Sequence, residues 1–164
     1  MSKPLKAKPL PMKKSLQEIL ERWEYATCKG SECYQRDDLK SAIMYFESAL
    51  LSAQTGLEND RKNTTFMHYY ALASMNLAHV LTAYEKQPQS EKVLSDAHFN
   101  MLTYMVDVKQ PSSFRREAKR QAEVLLMSLK KFLVQIGKSP VAESLEDEFY
   151  RLSVNTHHGM LMEE

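Results

Sequence analysis

Histidines, cysteines and paired acids are the side chains with which this chain could do chemistry, and their spacing decides what kind. His68 and His79 are eleven residues apart. On one helix that spacing gives nearly the same face but about 16 Å along the axis, too far to share a metal ion. Partial burial or groove-lining contacts fit each imidazole better than metal or acid-base work. Near the end of the sequence "HHGMLM" gathers His157, His158, Met160 and Met162. These imidazoles and thioethers suit copper(I) and other soft metals, although the spacing matches no defined site. Cys28 and Cys33, if helical, point about 140° apart around the axis, which suits neither a disulfide nor a shared metal. Tandem acids at Asp37 and Asp38, and at Glu146, Asp147 and Glu148, fit helix starts and solvated faces better than catalytic carboxylate pairs. The sequence contains no glycine-rich phosphate loop, G-x-S-x-G elbow or H-E-x-x-H pair. No catalytic residue, cofactor or metal is therefore expected, and the chain reads as a non-enzyme.

The elements that must position these groups are helices. The chain has 164 residues, long enough for one domain with a continuous core, and 43% hydrophobic with 26% charged residues is a globular composition. Four glycines and six prolines are few for a strand-and-turn architecture. A formal charge of +1 provides no global field toward nucleic acid or anionic lipid. No stretch approaches the ~18 apolar residues of a membrane span, and no secretory signal is evident. A cytoplasmic protein with no nucleic-acid or membrane partner is the expectation.

The first fourteen residues, "MSKPLKAKPLPMKK", carry five lysines and three prolines and read as a disordered basic tail, with a basic docking arm as the functional alternative. A single domain is expected over residues 15–159, followed by a frayed end at 160–164. Ser15 with Glu18 spells a capping box for a first helix to about residue 36, carrying Leu16, Ile19, Leu20, Trp23 and Ala26 at helical spacing. Asp37 or Asp38 caps the second, with Ala42, Phe46, Ala49 and Ala53 inward and Gly56 as its stop. Asn63, Thr64 or Thr65 caps the third, which ends before Pro88, and Ser90 caps the fourth, closed by Pro111. The fifth runs from about 113 to Gly137. Ser139 and Pro140 open the sixth, which continues to Gly159. The predicted fold is all-α: six helices in three consecutive antiparallel hairpins that start about 49 residues apart.

In "GSECYQRDDLKSAIMYFESAL", Gly30 precedes Ala42 by twelve residues, and Phe46 and Ala49 follow. This set resembles the small, small, aromatic, small pattern of a tetratricopeptide repeat. "NLAHVL", Asn76 to Leu81, is similar to the family's first-helix core, with Ala78 in the place of Gly30. Ser95, Phe99 and Leu102 stand as the second-helix equivalents, reached across extra residues, and the third hairpin keeps only the helix-glycine-helix outline. The resemblance implies a short right-handed superhelix whose first, third and fifth helices line a concave groove for a peptide or protein segment. Size and hairpin count are also similar to bacterial secretion chaperones, and a small bacterial tetratricopeptide-like protein fits equally.

Within that groove the resemblance points to His68, Tyr69, Tyr70, Met75 and Asn76 on the third helix. On the fifth, Arg115, Arg116, Lys119 and Arg120 fall, with Lys130 and Lys131, opposite the apolar stripe of Phe114, Ala118, Ala122, Leu125, Leu129 and Phe132. These basic side chains are expected to steer an acidic ligand, and the aromatic and methionine side chains to anchor it. A second copy of the chain, forming a homodimer, is the alternative occupant.

Overall fold

The computed structural model describes residues 14–60 and 64–161, with side chains as far as residue 156. Among these residues it contains α1 (Lys14–Gln35), α2 (Leu39–Asn59), α3 (Thr65–Ala83), α4 (Gln87–Val106), α5 (Ser112–Gln135) and α6 (Ser139–Leu161), and no strand. The expected tail, apart from Lys14, and the candidate cap Asn63 lie outside the described residues.

Each hairpin is closed by the same turn. At Asp37, Glu85 and Gly137 the backbone enters the left-handed region, with φ of 62°, 60° and 80°. Their amides donate to the carbonyls of Tyr34, Thr82 and Val134 at 3.0, 3.1 and 3.1 Å. The next amides, of Asp38, Lys86 and Lys138, reach back to Cys33, Leu81 and Leu133 at 2.9, 2.8 and 2.7 Å. This paired pattern satisfies carbonyls that a helix end would otherwise leave open. Asp38 then caps α2, its Oδ1 accepting from the Ser41 amide at 3.2 Å. The hydrogen bonds from Ser41 hold its carboxyl below the ordinary value.

The hairpins stack in chain order. Helices adjacent in sequence pack together, α3 packs also on α1 and α5, and α4 on α6. Leu16, Trp23, Phe66, Met101, Phe114 and Leu125 belong to the largest buried cluster. Phe46 lies so close over Gly30 that a Cβ there would meet its ring at 2.7 Å. The same ring joins Leu77, Val80 and Leu81 of α3, filling space between the first two hairpins. Ala42, Phe46, Ala49 and Ala53, expected to face inward, are all buried.

Several expected boundaries move. Gly56 does not stop α2, which passes through it to Asn59. The residue is small because Phe66 packs there: an added Cβ would clash with that ring. Pro88 opens α4 rather than closing α3, as its fixed φ and missing amide suit a first turn. Ser90 is then inside α4 and fully buried, its hydroxyl donating to the Ala78 carbonyl and meeting the Thr82 hydroxyl, both at 2.8 Å. Ala78 and Ser90 are twelve residues apart, as are Gly30 and Ala42. By this internal spacing Ser90, Leu94 and Ala97 occupy in α4 the places of Ala42, Phe46 and Ala49 in α2, with no extra residues. Phe99, expected among them, is 45% exposed. Ser139 is the first residue of α6 rather than its cap, and α6 runs through Gly159 to Leu161. Ser15 likewise lies within α1.

Two outcomes follow from this packing. Gly56→Ala gains about 1 kcal/mol of helix propensity, but overpacking against Phe66 costs about 1–3 kcal/mol. A lowered urea midpoint with unchanged helicity is expected.

His98 is fully buried between α4, α5 and α6. Its Nδ1 donates to the Ala122 carbonyl at 2.9 Å, and its Nε2 finds no hydrogen-bond partner among the described residues. Burial lowers its pKa below the ordinary 6.5, opposed by that carbonyl and by the charge of Glu148. As pH falls through about 6.5 the unfolded chain takes the proton first, so stability declines from there to the lower folded-state pKa. Urea midpoints from about pH 8 to 5 should show the decline, and His98→Leu should flatten it.

Candidate functional site: a cleft between the first helices

The residues expected to face a partner divide into three groups. His68, Arg116 and Arg120 are exposed, with Arg120 Nη1 3.4 Å from Glu117 of its own helix. Tyr69, Met75, Asn76 and Lys119 are half-buried. The Tyr69 ring packs on Trp23 of α1, centroids 4.3 Å apart and tilted by 37°, and the Met75 sulfur accepts from Ser128 of α5 at 3.1 Å.

Tyr70 and Arg115, expected to face a partner, are buried instead. Tyr70 is 3% exposed and points away from the first-helix side, its hydroxyl accepting from Asn100 Nδ2 of α4 at 2.7 Å. Burial raises its pKa. Arg115 is 2% exposed and its Nε donates to the Met105 carbonyl, in the last turn of α4, at 3.1 Å. A cation at a helix C-terminus satisfies an open carbonyl and complements the dipole. Helical periodicity placed Arg115 on the polar face, yet the folded-back end of α4 covers that position. Lys130, expected on the same basic face, is paired with Glu146 of α6, and this contact raises its pKa.

What the structure assembles on the first-helix side is a cleft of about 420 Å³ between the C-terminal halves of α3 and α5, with α4 beneath. Ala78, Leu94 and Phe132 give it an apolar floor, and His79, Ser128, Lys131 and Gln135 a polar rim. Toward the other ends of α3 and α5, Ala71, Ala118 and Ala122 are fully buried in one cluster, so the helices close there. His79 is fixed from α1: its Nε2 and the Tyr34 hydroxyl share a hydrogen bond of 3.0 Å, with ring centroids 5.3 Å apart. All three first helices thus contribute. Lys131 carries no ion pair among the described residues, and no described acid lines the cleft.

Of the nominated residues, Met75 lines this cleft; Asn76, His68 and the arginines do not. His79 lines it, whereas His68, of which the same alternatives were expected, does not. Of the remaining rim residues, Ser128, Lys131 and Gln135, only Lys131 was legible in the sequence, as part of a basic helix face.

Among the described residues no group of three or more histidine, cysteine or acidic side chains could hold a metal ion. The side chains of His157, His158, Met160 and Met162 lie outside the described residues. Cys28 is exposed, Cys33 is half-buried, and both are free. No described helix is long and apolar enough to cross a membrane. A further hollow of about 450 Å³ lies on the outer side of the first hairpin, beside Glu18, Arg22, Tyr25 and Tyr45.

An all-α stack of helical hairpins with an open interhelical cleft is the class of protein this geometry defines. The chain belongs to the family described as protein of unknown function, DUF2753, whose model matches residues 21–158. No curated protein and no solved structure matches it.

The two neighbouring arginines should behave oppositely. Arg115→Met removes a charged hydrogen bond from a buried helix end and should cost about 1.5–3 kcal/mol in urea unfolding. Arg116→Met, at an exposed site, should stay within about 0.5 kcal/mol.

Proposed function

We propose that the protein is a non-enzymatic, tetratricopeptide-like interaction module that holds a peptide or protein segment in the cleft between α3 and α5. The observation that carries this reading is the cleft's composition: an apolar floor of Ala78, Leu94 and Phe132, a hydrogen-bonding rim, and one free cation, Lys131. Small interhelical clefts with few, convergent polar groups are where ligands are held. The recurring turn and the close seat of Phe46 on Gly30 support the tetratricopeptide-like reading. The role is chaperone- or adaptor-like and the mechanism passive. An apolar ligand side chain rests on Leu94 and Phe132, while Lys131 attracts a carboxylate and favours encounter.

A second reading, self-association, is favoured by apolar side chains exposed at both ends of the stack: Met44 and Leu51 on α2, Met127 on α5 and Val154 on α6. Sedimentation velocity across a concentration series separates the two, since a dimer at all concentrations with no peptide affinity would replace the first.

Panning a random peptide library against the protein tests the cleft directly. Selected peptides should pair an apolar residue with an acid, and Lys131→Glu should weaken them about tenfold, or ~1.4 kcal/mol. Selected peptides that bind this variant as tightly as the parent would overturn the assignment.

A further inference from the structure

The second helices of the hairpins do not all behave alike. α4 packs on α6, but the backbones of α2 and α4 stay apart, held at a distance by α3 beneath them. Between them run two adjoining hollows of about 310 and 210 Å³, which share Gln54, Tyr70 and Asn100 in their linings. Tyr70 and Ser74, both nearly inaccessible, form the floor, and Leu50 and Val93 stand on opposite walls. The polar groups at the rim are amides and acids: Gln54, Asn100, Asp96 at one stretch and Glu58 at the other. No described lysine or arginine lines either hollow. Lys92 sits 2.7 Å from Asp96, but the two side chains are 75% and 58% exposed, so their pairing is weak and displaceable.

We infer that this channel is a second binding site, for a basic peptide segment of a partner protein, on the side of the molecule opposite the α3–α5 cleft. The charge pattern selects the occupant. A lysine or arginine stem lies along Leu50 and Val93 while its cationic head meets Asp96 or Glu58, the arrangement long basic side chains favour on half-apolar surfaces. Gln54 and Asn100 offer amide donors and acceptors to the ligand backbone. Phe99, 45% exposed beside the channel, would be covered by the bound segment. The two clefts are therefore complementary in sign. Among the described residues, one is lined by Lys131 and His79 without an acid, and the other by Glu58 and the Lys92-paired Asp96 without a base. The inference stands independently of the proposed function, since it uses different helices and the opposite charge.

The test is fluorescence anisotropy on the full chain with a short labelled peptide in which lysines alternate with alanine and leucine, alongside its glutamate counterpart. The lysine peptide should bind at least tenfold tighter than the glutamate one. Asp96→Asn combined with Glu58→Gln should remove most of that preference, while Lys131→Glu leaves the lysine peptide bound in this channel. Gln54→Lys, which puts a cation at the point the two hollows share, should also weaken binding about tenfold and keeps the question decidable if the double variant misfolds. Equal binding of the two peptides, or unchanged affinity in both channel variants, would overturn the inference.

Discussion

A left-handed residue at the end of each first helix fixes everything downstream of it. Once Asp37, Glu85 or Gly137 has turned the chain, the two reaching-back amides leave one geometry for the return helix. Positions five, nine and twelve residues beyond the turn then face inward. In the first hairpin these are Ala42, Phe46 and Ala49, in the second Ser90, Leu94 and Ala97, and in the third Ala142, Glu146 and Phe149. All but Glu146 are buried. The register of each helix pair is thus set by backbone hydrogen bonds, and side-chain size is fitted to it.

The third hairpin shows what the constraint permits. The place where Phe46 sits on Gly30 is taken by an ion pair between Lys130 and Glu146. Both side chains are partly exposed, so the pair contributes less than the packed ring it replaces. The hairpin keeps its turn and its small Ala142, and a further contact from Lys138 to Glu91 ties it to α4. A sequence pattern based on aromatic residues misses such a unit because the backbone geometry persists while the side-chain chemistry changes.

The same physics separates sequence pattern from packing in the second hairpin. Phe99 attracts attention because an aromatic is expected at the packing position, yet that place holds Leu94, one helical turn and more upstream. Ser90 looks like a cap because serine usually is one. Here its hydroxyl is buried against the Ala78 carbonyl, where a small residue able to satisfy a polar atom is required. Arg115 looks like a ligand-facing cation for a parallel reason. Periodicity along one helix cannot register that the end of α4 folds over it.

Composition, the Asp38 cap and the three-four spacing of apolar side chains determined that the chain forms six helices paired as hairpins, because those properties act over a few residues. The resemblance carried by Gly30, Ala42, Phe46 and Ala49 added that small residues let α1 and α2 approach closely, as Phe46 does over Gly30. Only the tertiary structure decided which polar residues packing consumes, as with Tyr70, Arg115 and Ser90, and which stay free, as with Lys131. It also decided where the helices part, between the later halves of α3 and α5 and between α2 and α4. Those openings depend on distances between helices, which are set by side chains from three elements at once and leave no periodic trace in any one of them.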